Sequence, residues 1–143
     1  LRTTYDKLES FYVLSLLFPK FNFEFKNPNI DHLHPRSQFE NSDLSFLTSD
    51  EDIEFYKNHW NTTLNLALLS EEQNKSKNKS ELETWIIEQE KHNLGIRNSL
   101  LIPESVDLRF ENFKEFILKR EDALKKIIKE NTEEKENTLQ QKI

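Results

Sequence analysis

The sequence predicts a mainly helical α+β domain, and three observations carry that prediction. Apolar side chains recur at helical spacing near both ends, in "LRTTYDKLESFYVLSLLF" (1–18) and "RFENFKEFILKREDALKKIIKE" (109–130). Two short stretches, one around Ile30 and one at 62–70 ("TTLNLALLS"), carry instead the apolar and β-branched content of strands. Directly after the second stretch, Ser70-Glu71-Glu72-Gln73 matches a capping box, in which the Ser hydroxyl and the Gln side chain satisfy each other's free backbone donors. A helix therefore begins at Glu71.

The first helix gathers Tyr5, Leu8, Phe11, Tyr12, Leu14, Leu16 and Leu17, and Pro19 ends it. "FNFEF" (21–25) alternates apolar and polar residues as a short strand does, and "NPN" (27–29) signals a turn. A strand through Ile30 and Leu33 stops at Pro35. From Glu40 to Glu54 the chain holds Glu40, Asp43, Asp50, Glu51, Asp52 and Glu54 without a Lys or Arg. Two short helices are expected there, the second capped near Ser49 and running to Trp60. Asn65 then falls on the second strand and Asn74 in the first turn of the capped helix. A second capping box, Ser80 with Glu83, starts the helix "ELETWIIEQEKHN". Residues 93–108, with the chain's only glycine and Pro103, read as loop. The last helix presents Phe110, Phe113, Ile117, Leu124, Ile127 and Ile128 as its apolar face. The expected organisation is a helical lead-in (1–26), a folded domain (27–130) and a frayed or disordered tail (131–143).

A chain of 143 residues fits one domain, and eleven Phe, two Trp and three Tyr supply a core despite a hydrophobic fraction of only 35%. No apolar run approaches the roughly 20 residues needed to span a bilayer, and no signal peptide opens the chain, so a cytoplasmic location without membrane contact is expected. The absence of cysteine excludes disulfides, thiolate zinc sites and cysteine nucleophiles. The absence of Met, with a start at Leu1, suggests a piece of a longer protein. A net charge of −6 argues against a stand-alone basic nucleic-acid binder, because phosphate contacts need clustered Lys and Arg.

"NIDHLHPRSQF" (29–39) spends two of the chain's four histidines beside Asp31. Phosphodiester hydrolysis needs a hard cation, a base to activate water and a group to hold that base still. The Asp31 carboxylate and the Asn74 amide oxygen are hard donors suited to Mg²⁺ or Mn²⁺, and His32 suits a general base near neutral pH. Adjacent strand residues point to opposite faces, so Asp31 and His32 share one site only where the strand twists, as it can near Pro35. His34 would share a strand face with His32, either as a His-x-His transition-metal pair or in a packing role. Asn78 lies four residues after Asn74 on the same helical face and competes with it. Lys75, Lys77 and Lys79 form either a solvated face or a DNA contact, and the cations of 109–129 offer a second track or another solvated face. Tyr56, Trp60 and Trp85 are expected in the core.

The order "IDHLHPRS", "LNLALLS", "EEQNKSKNKS" strongly resembles the HNH, or His-Me finger, nucleases. Within them it is most similar to the C-terminal nuclease domain of GmrSD-type modification-dependent restriction endonucleases. "YVLSLLFPKF", "ETWI" and "ENFKEFILKR" extend the likeness over roughly 5–130. The resemblance implies a ββα-metal hairpin and helix flanked by N- and C-terminal helices, and a DNA endonuclease that nicks one strand per event. By the same resemblance Asp31 and Asn74 correspond to the Mg²⁺ or Mn²⁺ ligands, His32 to the general base, and Asn65 to the asparagine that orients the histidine and ties the connecting loop. Lys77 corresponds to a phosphate-contacting lysine, with Lys75 and Lys79 beside it. Also implied are a missing N-terminal NTP-using recognition domain and a setting in bacterial restriction or anti-phage defence. Homo-oligomerisation and a non-catalytic DNA-binding or protein-docking module of the same fold stay open. The long acidic insertion between the strands departs from the family pattern.

Overall fold

The computed structural model describes residues 1, 4, 8–18, 28–41 and 44–140. Seven helices surround a two-stranded antiparallel sheet, so the mainly helical α+β expectation holds among the described residues. Helix α1 (Leu8–Leu17) buries Leu14 and Leu17. The expected strand at 21–25 lies outside the described residues.

Strand β1 (Asn29–His32) pairs with β2 (Leu66–Leu69) in the register Asn29 with Leu69 through His32 with Leu66. Every residue of β2 is buried, which explains why "LALL" shows no polar alternation: α1 covers it, and α4 (Glu71–Lys77) packs on it and on β1. The capping box forms as expected, with Ser70 Oγ accepting from Gln73 N and Gln73 Oε1 accepting from Ser70 N at 2.9 Å.

The connection between the strands carries α2 (Arg36–Asn41), a 3-10 turn at Leu44–Phe46 and α3 (Asp50–His59). Ser49 caps α3 as its hydroxyl implies, accepting from Asp52 N at 3.1 Å. Tyr56 on α3 is buried, and its hydroxyl is shared between the Phe110 and Glu111 carbonyls at 2.9 Å each.

The second expected capping box does not form. Helix α5 (Leu82–Glu90) starts after Glu81, because the Ser80 amide donates to Lys77 O at 2.8 Å and so closes α4. Within the expected loop, Ile96–Ser99 makes a single helical turn, α6. After a 3-10 turn at Phe110–Asn112, α7 (Phe113–Gln140) runs on through much of the expected tail. No Pro or Gly interrupts it, and the pairs Lys126/Glu130 and Lys129/Glu133 support the extension. Its buried stripe is Phe113, Phe116, Ile117, Arg120 and Leu124; each fully buried large apolar side chain contributes about 2 kcal/mol, whereas Ile128 faces out.

Arg120 is the exception on that stripe. It is fully buried and donates to Leu64 O at 2.6 Å and Thr63 O at 3.3 Å through Nη1, to Leu100 O at 3.1 Å through Nη2, and to Leu101 O at 3.3 Å through Nε. Those carbonyls project from a 3-10 turn at Thr63–Asn65 and from the turn after α6, so Asn65 precedes β2 and does not lie on it. No helix of the described residues is long and apolar enough to cross a membrane.

Candidate active site

Asp31 and His32 sit at the end of β1 and face different neighbours. The Asp31 carboxylate receives Lys77 Nζ from α4 at 3.0 Å; Lys77 is fully buried, and the Asp31 side chain is 26% exposed. Burial pulls the Lys77 pKa down and Asp31 opposes that pull. The three expected surface lysines are therefore not one track. Residues two apart on a helix point to opposite sides, so Lys75 lies outside in a 2.5 Å pair with Glu71, Lys79 is exposed just past the helix end, and Lys77 turns inward. Asn74 precedes Lys77 by one turn on the same helical face and is half-buried. Asn78 ends α4 with φ 45° and is exposed.

His32 turns instead to the segment after α3. Its Nε2 lies 2.9 Å from Asn61 Oδ1, and its ring stacks on Trp60 with centroids 5.3 Å apart and planes at 27°. Burial is the main force lowering its pKa; Lys77 and Arg36 add to it, while Asn61 and Asp31 oppose it. A neutral ring that places its proton on Nε2 donates to Asn61, and that bond selects the tautomer.

The family resemblance gave one asparagine two tasks, and two residues divide them here. Asn65, fully buried, ties the loop: its Oδ1 accepts from His34 N at 3.0 Å, and its Nδ2 donates to His34 O at 3.0 Å and Trp60 O at 2.8 Å. Asn61 holds the histidine. It lies outside both strands, and its one sequence signal is its place directly after the end of α3.

His34 forms no pair with His32. It is fully buried against Phe110, Phe113 and Phe116, with ring centroids 6.2, 5.3 and 4.8 Å away. Neither ring nitrogen finds a hydrogen-bond partner among the described residues. Burial foremost, then Lys77, pulls its pKa down to about 3. Leu33 and His34 bend away from the strand after His32, which turns the two rings to different surroundings.

The acidic insertion is partly neutralised within the fold: Glu40 pairs with Arg36 at 2.6 Å and Asp52 with Lys114 at 2.6 Å. Of the basic residues on 109–129, Arg120 is buried, and Arg109, Lys114, Lys119, Lys125, Lys126 and Lys129 each meet a carboxylate. Tyr56 and Trp85 are buried as expected, but Trp60 is only half-buried, between His32 and solvent.

No protein-family model and no curated protein matches the chain. The likeness to HNH nucleases rests on the motif residues alone.

Proposed function

We propose that this chain is a divalent-metal-dependent DNA endonuclease domain of the HNH type, with His32 as the base that activates water. The observation that carries the reading is a half-hidden, neutral His32 held by Asn61 next to an acidic residue that meets the helix after the hairpin. The antiparallel pair of β1 and β2, the loop-tying Asn65 and the packing of α4 on both strands support that reading. No three His, Cys, Asp or Glu side chains converge among the described residues. One carboxylate and one amide, Asp31 and Asn74, nevertheless suit Mg²⁺ or Mn²⁺, which keeps several waters and takes further oxygens from phosphate. Such an ion would neutralise the scissile phosphate and the developing charge on the leaving oxygen.

The protein's own steps are few. His32 takes a proton from water, whose oxygen attacks phosphorus in line; the P–O3′ bond breaks, and the 3′-oxygen leaves and is protonated from solvent. Asn61 fixes the direction of the imidazole, and Trp60 fixes the ring plane. One site of this kind cuts one strand. A bacterial restriction or anti-phage setting, with a separate NTP-using recognition domain, follows from the same resemblance.

One observation favours a second reading. The Lys77 ammonium already compensates Asp31, as it would in a DNA-binding module that keeps the fold without chemistry. Nicking of supercoiled plasmid at low salt with Mg²⁺, Mn²⁺ or EDTA separates the two. The nuclease reading expects metal-dependent open circles that disappear in His32→Ala and Asn74→Ala. Plasmid binding without any nicking, unchanged by EDTA and by His32→Ala, would establish the module instead.

A further inference from the structure

We propose that Arg36 holds a DNA phosphate beside His32, using Trp60 as its platform. The inference rests on the nuclease reading of the same site and extends it to how the strand is held. A phosphate attacked at His32 needs a cation that substrate can reach. Lys77 is sealed in the interior against Asp31, and Lys75, two residues away on α4, points to the opposite side of the helix. Arg36 is different. It opens α2 directly after Pro35, its side chain is 65% exposed, and its guanidinium carbon lies 5.6 Å from the centre of the Trp60 ring. That same ring stacks on His32, so the guanidinium and the imidazole share the indole as a neighbour. The charge of Arg36 is felt at His32, which agrees with this proximity.

The Arg36 Nε donates to Glu40 Oε1 at 2.6 Å, and the two Nη groups form the planar fork that matches two phosphate oxygens. Glu40 is 51% exposed, and such a surface pair within one helical turn is weak, so Glu40 aims the guanidinium while competing only modestly with phosphate. The indole face confines the guanidinium as well, through a cation–π contact.

The test is binding of a fluorescent duplex oligonucleotide in EDTA, read by anisotropy across a salt series, for the native chain, Arg36→Ala, Arg36→Lys and Glu40→Gln. Arg36→Ala is expected to weaken binding about fivefold and to reduce the slope of log affinity against log salt by about 0.9, the value for one lost phosphate contact. Arg36→Lys should keep the slope and lose part of the affinity, and Glu40→Gln should bind more tightly than the native chain. A purely structural role for Arg36 would leave the slope where it is. Unchanged affinity and slope in Arg36→Ala would overturn the inference, as would a native chain that binds no duplex at low salt. Plasmid nicking that survives with unaltered affinity in Arg36→Ala overturns this contact and leaves the nuclease reading standing. An Arg36-dependent slope in a chain that nicks nothing supports the contact and counts against catalysis. Tighter binding of an RNA duplex of the same sequence would overturn DNA as the source of the phosphate.

Discussion

Acidification should unfold this protein through His34, by an amount that its burial allows to be worked out. In the unfolded chain the imidazole titrates near 6.5; in the fold, burial among the Phe110, Phe113 and Phe116 rings pulls it down to about 3. Above pH 6.5 both states hold a neutral ring, and its contribution to stability is fully present. As pH falls from 6.5 towards 3, only the unfolded chain takes up the proton, so stability is lost at about 1.4 kcal/mol per pH unit and levels off below 3. Between pH 7.5 and pH 5 the loss from this one side chain is about 2 kcal/mol. Urea denaturation at the two pH values, for the native chain and His34→Leu, isolates it, since the carboxylates that titrate in the same window are common to both. Leucine keeps the backbone N–H and C=O that hold Asn65 and removes the titration. The expected result is that His34→Leu loses about 2 kcal/mol less than the native chain on going to pH 5. Parallel stability curves for the two proteins would refute the burial argument.

Three further outcomes follow from buried polar groups. Asn65→Ala strips partners from His34 N, His34 O and Trp60 O and should cost about 3 kcal/mol, seen as a lower urea midpoint at unchanged m-value. Arg120→Met should cost a similar amount, about 3 kcal/mol, by leaving carbonyls of Leu64 and Leu100 unsatisfied, whereas Arg120→Lys should recover part of it in the same assay. Lys77→Met should cost about 2 kcal/mol, below the figure for a wholly hidden pair because Asp31 is partly exposed, yet should raise Mn²⁺ affinity about tenfold in a calorimetric titration, since the carboxylate loses its internal cation.

Local signals in the chain were legible where they were chemical and short in range. Ser49 and the Ser70/Gln73 box located α3 and α4 because a cap is written within four residues. The same pattern at Ser80 and Glu83 misled, since the amide of Ser80 had already been taken by the end of α4. The strand expected at Asn65 is a 3-10 turn whose neighbouring carbonyls serve Arg120, and nothing near residue 65 announces a partner so far along the chain. The candidate site divides in the same way. Asp31, His32 and Asn65 were visible as a spaced motif, but the inward turn of Lys77, the hold of Asn61 on His32 and the placing of Arg36 over Trp60 depend on packing between elements.

The buried guanidinium of Arg120 has a consequence for how the chain reaches this state. Its donors are satisfied only when three remote pieces, the turn at 63–64, the turn at 100–101 and the last helix, are all in place together. Any half-assembled form leaves either an uncompensated cation in an apolar interior or exposed core around it, and both are costly. Partial order is therefore penalised at a single atom cluster, and the hairpin bearing Asp31 and His32 is joined to the far end of the molecule in one all-or-none transition.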